Sequence, residues 1–157
     1  MKALSFLKEK RDSKLKGRTC TNSRKQRSYK TKAETASPTV HTDSIIFTAI
    51  IDATERRIVV VTDVIGAYLN ANIDEFLLLN MEGEQVDVLC KIDSKYGDYV
   101  TVEKGKKVLY LVLKKALYGC LQSALLWYKI FSITLMEIGF KLNSYDLCVA
   151  NSIINSK

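Results

Sequence analysis

Two stretches of the chain carry apolar residues at helical spacing. The first covers residues 42–56, and its apolar positions are Ile45, Ile46, Ala49, Ile50 and Ala53. This spacing predicts an amphipathic helix. A second, longer helix is predicted over about residues 122–138, and Gly139 is a natural residue to end it. Because its only charges are Lys129 and Glu137, most of its circumference is expected to be buried against a sheet.

Strands are predicted where β-branched or alternating apolar residues replace the helical spacing. Residues 58–61 read Ile-Val-Val-Val, which favours a short buried strand. Residues 76–81 are expected to form a second strand, and alternation over residues 86–92 predicts a third. Residues 99–103 and 107–113 are rich in β-branched residues and predict a hairpin across an intervening Lys-Gly-Lys turn.

The positive charge is concentrated in the first fifth of the chain. Residues 1–32 hold twelve Lys and Arg against two acids, whereas residues 33–157 hold twelve basic and fifteen acidic residues. A turn signal at Asp12-Ser13, followed by alternation over residues 14–21, predicts a hairpin with a cationic face. Such a segment favours nucleic acid or nucleotide phosphate as a partner, and a solvated tail or localisation signal is an equal alternative on composition alone.

The composition is that of an ordinary globular protein. The 157 residues suit one domain, and 47% of them are apolar. No apolar run reaches the length of a membrane-spanning helix, and the first ten residues lack the apolar centre of a signal peptide. An intracellular protein with no membrane partner is therefore expected.

The cysteines and the single histidine do not indicate a metal site. No two of the four cysteines form a close pair in sequence, so free thiols in a reducing compartment are predicted. Cys148 lies among apolar residues and is expected in the core. His41 opens the first predicted helix and is interpreted as a surface or cap residue.

One carboxylate, Asp63, follows the predicted strand at residues 58–61. Gly66 permits a sharp turn after it, and Tyr68 follows five residues after the acid. Burying an unpaired carboxylate is costly, so Asp63 is expected to have a partner, which could be a helix end, a cation or a metal ion. The alternative is an ordinary turn-forming or capping aspartate.

The arrangement Asp63-x-x-x-Ala-Tyr68 resembles the first catalytic motif of reverse transcriptases. Two further stretches resemble the copia-type LTR retrotransposon enzymes: Ser-Pro-Thr-Val at residues 37–40 ahead of the first helix, and Lys-Lys-Ala-Leu-Tyr-Gly at residues 114–119. The resemblance runs from about residue 7 to residue 152. It implies an α+β fold: fingers and a partial palm, in which a mostly antiparallel sheet is backed by two main helices. Residues 1–40 would be a basic fingers segment and residues 41–157 a partial palm with inserted fingers strands.

The resemblance also implies how the basic hairpin would act. Arg18 would hold the triphosphate of the incoming nucleotide, because a guanidinium matches phosphate oxygens bidentately. Arg24 would support that arm, and Lys10 or Arg11 would lie near the hairpin tip. The chain departs from the family at Asn22-Ser23, where Asp-Gly is usual, and this departure weakens the expected orientation of Arg24.

The remaining implied site residues surround the predicted metal centre. By resemblance, Asp63 would bridge two Mg²⁺ ions and the carbonyl of Val64 would complete one coordination shell. Tyr68 would lie beneath the sugar and reject a 2′-hydroxyl. Tyr118 would lie beside the base, and Gly119 would allow the template–nucleotide pair to approach closely. Many family members have proline where Ala124 stands.

The family also uses a pair of adjacent aspartates, and the 157 residues contain no Asp-Asp. The chain is therefore interpreted as a copia-type RNA-directed DNA polymerase truncated before the catalytic Asp-Asp hairpin, inactive by itself. Its partners would be an RNA or DNA template-primer, a deoxynucleoside triphosphate and the remainder of a Pol polyprotein, in a cytoplasmic particle or the nucleus. Two alternatives stay open: a non-enzymatic basic nucleic-acid-binding module, and a decayed transposon remnant.

Overall fold

A five-stranded sheet organises the structure, a computed structural model that describes residues 1–153. The strands lie in the order β2-β1-β3-β5-β4. Every pair is antiparallel except β1 and β3, which run parallel and meet at Lys2 and Asn80. The expected α+β fold with a mostly antiparallel sheet is therefore confirmed. The strands are β1 (Lys2–Glu9), β2 (Leu15–Asn22), β3 (Leu78–Glu82), β4 (Thr101–Glu103) and β5 (Lys106–Val112).

Both predicted hairpins are present. β1 and β2 pair over their full length, from Lys2 with Asn22 to Glu9 with Leu15, and the chain reverses through Ser13 at a φ of 58°. The β4–β5 turn places Lys104 and Gly105 at φ values of 49° and 75°. Two consecutive positive φ angles are typical of the type I′ turns that suit the twist of paired strands.

Three α-helices accompany the sheet: α1 (Thr42–Glu55), α2 (Glu84–Ile92) and α3 (Ser123–Glu137). Short 3₁₀ turns cover Gln26–Ser28, Ala67–Asn70 and Ser94–Tyr99, and a two-stranded ribbon joins β6 (Lys141–Leu142) to β7 (Ala150–Asn151). Helices α1 and α3 confirm the two predicted helices. None of the helices in the described part of the chain is both long enough and apolar enough to cross a membrane.

The prediction of a strand at residues 86–92 is wrong, since this segment belongs to α2. Alternation put Val86 and Cys90 on one face of a strand, but residues four apart also share one face of a helix. The local signals support the helix: Glu84 and Asp87 lie in its first turn and Lys91 in its last, as the helix dipole favours. Helix α2 packs on β3 and β5 and buries Val86 completely.

The core is small and lies beneath the central strands. Leu79 of β3 and Val108 and Leu109 of β5 are buried together with Val86 of α2. By contrast, α1 buries no residue and α3 buries only its serines Ser123 and Ser132. The expectation that most of the circumference of α3 is buried against a sheet is therefore wrong.

The buried strand expected at residues 58–61 is absent. Residues 58–63 form no strand, and none of their backbone groups is hydrogen-bonded to another part of residues 1–153. Ile58 is 94% exposed and Val61 is 91% exposed. A buried strand needs a neighbouring strand to satisfy its backbone groups, and the described residues place none beside this run.

Asp146 anchors the start of α1. Its carboxylate is buried and accepts hydrogen bonds from the backbone N–H groups of His41 at 2.8 Å and Cys148 at 2.9 Å. The Ser44 hydroxyl and then the His41 N–H, the two largest influences, hold the pKa of Asp146 below its usual range. Asp146 therefore supplies the cap that the His41 side chain does not provide. Cys148 is exposed, so its predicted place in the core is wrong.

We expect Asp146→Asn to lower the Tm by several degrees at neutral pH, because a neutral amide is a weaker acceptor for these donors. The pKa of Asp146 is lower in the folded state, so its stabilisation is complete above the unfolded value, about 3.9, and is lost as the pH falls through the folded value. The difference between wild type and variant should therefore shrink in acid, as measured by thermal unfolding. Asp43→Asn, in the first turn of α1, is the control; an Asp146 effect that does not change with pH would contradict the assignment.

Candidate functional site

Tyr68 and Tyr118, fifty residues apart in sequence, lie in contact. Their ring centroids are 4.6 Å apart and their planes are inclined at 46°. Tyr68 is half-buried and Tyr118 is exposed. Two residues singled out independently by the sequence are thus brought to one place, with aromatic surface left open to a ligand.

The backbone around the tyrosines explains their contact. Gly66, at a φ of 64°, begins the 3₁₀ turn that carries Tyr68, and its carbonyl accepts the Leu69 N–H at 2.8 Å. Directly after this turn, the Ala71 carbonyl accepts the Ala116 N–H at 2.8 Å. The segment carrying Tyr68 is therefore fixed to the segment carrying Tyr118 through backbone hydrogen bonds.

Gly119 lies against the backbone of β2. A Cβ atom built on Gly119, whose φ is 91°, would come within 2.1 Å of the Thr21 carbonyl oxygen. The adjacent Tyr118 carbonyl accepts the Thr21 N–H at 2.8 Å. The close approach that requires glycine here is therefore made to the chain's own β2 strand, whereas the resemblance assigned it to a template–nucleotide pair.

Arg24 and Gly119 line one open pocket of about 360 Å³ beside the outer edge of β2. Arg27 lines it as well and adds a second guanidinium. The Arg24 N–H donates to the Asn22 side chain at 3.1 Å, so the residue that replaces the usual aspartate still orders this turn through its amide oxygen. The pocket is adjacent to Tyr118 through Gly119 and can hold an anionic group.

The other predicted cations lie on the hairpin. Arg18 is exposed in the middle of β2, directly opposite Phe6 of β1. Lys10 and Arg11 are exposed at the turn, as expected. None of these three side chains forms an ion pair within residues 1–153, so their charges are available to an external anion.

A buried chain of amides connects the basic segment to the start of α3 and was missed by the sequence analysis. The Gln26 side chain, which is fully buried, donates to the Gln122 side chain at 2.9 Å and accepts the Leu121 N–H at 3.1 Å. Gln122 in turn donates to the Glu75 carboxylate, which forms an ion pair with Lys30 at 2.8 Å. The hydrogen bond that Lys30 donates to the Glu75 carboxylate raises the pKa of Lys30.

This chain of amides joins the basic segment to the start of α3. Its members lie in three separate stretches of sequence, around residues 26–30, 75 and 121–122. Gln26 lies in the basic segment and Gln122 lies at the start of the apolar segment that forms α3. Nothing near either residue in the sequence indicated that their side chains would be hydrogen-bonded to each other.

Asp63 is separate from these contacts. It is exposed and forms no hydrogen bond or ion pair within residues 1–153, so neither a helix end nor a cation of the described chain is its partner. The Val64 carbonyl accepts the Ala67 N–H at 3.2 Å. No group of three or more His, Cys, Asp and Glu residues within residues 1–153 is arranged to hold a metal ion. A two-metal centre needs several oxygen ligands, so the residues present do not fit one.

Comparison with known proteins decides the family. A sequence profile of the family described as "Reverse transcriptase (RNA-dependent DNA polymerase)" matches residues 5–150. This chain belongs to the reverse transcriptase family. The comparisons with curated proteins and with solved structures found no match.

In this member of the reverse transcriptase family, some of the predicted site residues lie together and others lie apart. Tyr68 contacts Tyr118, and Gly119 shares a pocket with Arg24. Arg18 lies on the hairpin, and Lys10 and Arg11 lie at its tip, all exposed to solvent. The matched region includes all of these residues and the isolated Asp63.

Proposed function

We propose that the chain is part of a copia-type RNA-directed DNA polymerase, and that Tyr68 and Tyr118, with Arg24 and the cations of the β1–β2 hairpin, receive the incoming deoxynucleotide. The observation that carries this proposal is the contact between Tyr68 and Tyr118 at 4.6 Å. It brings together two segments that resemble the family independently. The aromatic surface suits a sugar and base, and the unpaired guanidinium groups suit a triphosphate.

In this proposal each residue has a distinct task. Arg18 and Arg24 bind phosphate oxygens, with Lys10 and Arg11 extending the positive field along the hairpin. In the intact enzyme, Asp63 and the Val64 carbonyl contribute to the Mg²⁺ centre together with carboxylates from outside these 157 residues. The template-primer, the deoxynucleotide and the remainder of a Pol polyprotein are the proposed partners, inside the cell.

Replacing Tyr68 by alanine in a complete enzyme should relax the preference for deoxynucleotides. The ring is held against Tyr118, so its removal leaves room for a 2′-hydroxyl. We expect the ratio of kcat/KM for deoxy- over ribonucleotides to fall by tenfold or more, which corresponds to about 1.4 kcal/mol of discrimination. Primer extension with each nucleotide measures this ratio.

Tyr118→Ala is the matched control in the same assay. It removes the partner ring but leaves the ring proposed to lie beneath the sugar. We expect it to weaken nucleotide binding for both sugar types, with less change in the ratio. An unchanged ratio in Tyr68→Ala would refute the assigned role.

We further propose that the 157 residues do not polymerise by themselves. One carboxylate at the predicted metal position is insufficient for two divalent ions. Primer extension with the isolated chain and Mg²⁺ should give no product, whereas a chain extended through a downstream aromatic-x-Asp-Asp motif should be active. Magnesium-dependent synthesis by the isolated chain would overturn this proposal.

A non-enzymatic nucleic-acid-binding module is the second candidate, because the exposed hairpin carries cations that lack partners in the described chain. Binding through phosphates alone should weaken steeply with salt and show no preference for a triphosphate. Binding of nucleic acid with no triphosphate binding in the extended chain would favour the module. A stop or frameshift directly downstream in the genome would favour a decayed remnant.

A further inference from the structure

Glu75 uses both of its carboxylate oxygens in contacts that lie largely away from solvent. One oxygen lies 2.8 Å from the Lys30 ammonium group, and the other accepts the hydrogen bond from the Gln122 side chain. The Lys30 and Glu75 side chains are only 15% and 25% exposed. The segment carrying Glu75 is itself fixed, because the Ile73 N–H donates to the Lys114 carbonyl at 3.0 Å. Removing either charge would leave the other partly buried without its partner, which is costly.

The Glu75 carboxylate determines which end of each neighbouring amide donates. An ionised carboxylate can only accept hydrogen bonds, so Gln122 must present its NH₂ group to Glu75. The side-chain oxygen of Gln122 then accepts from the NH₂ group of Gln26 at 2.9 Å. The side-chain oxygen of Gln26 is left to accept the Leu121 N–H at 3.1 Å. The order of donors and acceptors along the chain of amides is therefore set at Glu75.

Gln26 connects the two sides of the pocket that Arg24, Arg27 and Gly119 line. It lies between the two arginines in sequence, and its side chain holds the N–H of Leu121, two residues after Gly119. Its side chain is fully buried, whereas both arginines are exposed. A rotation of the Gln26 side chain would therefore alter the spacing between the guanidinium groups and Gly119.

We propose that Glu75 is a positioning residue for this pocket. Lys30 holds the Glu75 carboxylate in place, the carboxylate fixes the orientation of the two glutamine side chains, and these hold the two arginines in position. Guanidinium groups that are already in position bind phosphate more tightly, because less conformational entropy is lost on binding. This role rests on the proposed binding of the triphosphate by Arg24, to which it adds residues that touch no phosphate themselves.

Calorimetric titration of inorganic triphosphate into the whole chain tests this role, because charge and positioning predict effects of opposite sign. Glu75→Gln makes the chain more positive, so charge alone would strengthen the binding of an anion. Loss of positioning should instead weaken binding about fivefold, since Lys30 loses its partner and the carboxylate no longer fixes the amides. Asp74→Asn is the matched control, because it removes the same charge from the exposed neighbouring position. It should not weaken binding.

Lys30→Met and a double variant test whether the ion pair is the cause. Lys30→Met leaves the Glu75 carboxylate without its cation and should weaken binding about fivefold. Lys32→Met removes the same charge from an exposed position two residues away and should change binding by less than about twofold. Combining Lys30→Met with Glu75→Gln removes both charges but keeps an oxygen that can accept from Gln122. This double variant should bind within about twofold of wild type.

Hydrogen exchange of the Leu121 amide measures the same arrangement without any ligand. Its N–H is held by the Gln26 side chain, so its protection should fall in both single variants and return in the double variant. Far-UV circular dichroism should be unchanged throughout, which shows that each variant is folded. Leu121 protection that is the same in wild type and both single variants would overturn the proposal.

Arg24→Ala separates this role from the proposed function. It should weaken triphosphate binding strongly and leave Leu121 protection unchanged, because it removes only the group that touches phosphate. If Arg24→Ala weakens binding but Glu75→Gln strengthens it, the positioning role is overturned and the proposed function stands. A double variant that binds no better than its single variants would also overturn the positioning role. Unchanged binding in Arg24→Ala would overturn the proposed function of the pocket, and the role of Glu75 with it.

Discussion

Gly119→Ala is expected to lower the free energy of unfolding by about 3 kcal/mol. The new Cβ would meet the Thr21 carbonyl oxygen at 2.1 Å and the Thr21 nitrogen at 2.9 Å. Neither atom can rotate away, because both belong to the backbone of a strand. A φ of 91° adds strain for any residue with a side chain. Urea unfolding followed by circular dichroism measures the loss.

Gly97→Ala is the matched control. A Cβ at Gly97 meets nothing within 4 Å, and its φ is not in the left-handed region. Its free energy of unfolding should stay within about 0.5 kcal/mol of wild type. If Gly119→Ala were equally neutral, residues 117–120 would be able to move away from β2. The need for glycine would then have to come from a bound nucleic acid.

The parts of the fold that could be predicted from sequence are those with local causes. The Asp12-Ser13 turn and the Lys104-Gly105 turn specify their hairpins, because turn chemistry and β-branched strands act between near neighbours. Helix α1 followed from apolar spacing alone. Gly139 ends α3 as predicted, donating its N–H to Met136 at 3.0 Å with a φ of 94°.

The failures have a non-local cause. Residues 58–61 have the composition of a buried strand, but burial also needs a neighbouring strand, and residues 1–153 place none beside them. The apolar residues of 86–92 fit both the two-residue period of a strand and the 3.6-residue period of a helix. The segment forms a helix that packs on β3 and β5. Apolar spacing in α3 could not reveal that Ile133 and Met136, in its C-terminal half, are exposed.

The sequence identified the individual residues of the candidate site, but it did not predict which of them lie in contact. The spacing of Asp63 and Tyr68 and the stretch ending at Gly119 identified the segments. Their contact depends on the backbone pairing of residues 71 and 116, which are 45 positions apart. The exposure of Asp63 could not be foreseen, since the expectation of a partner assumed that the preceding strand was buried.

Gln26→Ala is expected to lower the free energy of unfolding by about 2 to 3 kcal/mol. Gln26 is fully buried, and its loss leaves the Leu121 N–H and the Gln122 side-chain oxygen without their partners in the interior. Since Leu121 and Gln122 precede α3, the Tyr68–Tyr118 contact should also loosen. Urea unfolding measures the first effect, and the nuclear Overhauser contact between the two rings reports the second.

Gln26→Met separates hydrogen bonding from packing. Methionine fills nearly the same volume but makes neither hydrogen bond, so most of the loss should remain if the amides are the cause. Arg27→Ala, at the neighbouring exposed position, should change stability by no more than about 0.5 kcal/mol. The double variant Gln26→Ala with Gln122→Ala should lose less than the sum of the single variants, because both remove the same bond. Strict additivity would show that the two amides are not coupled.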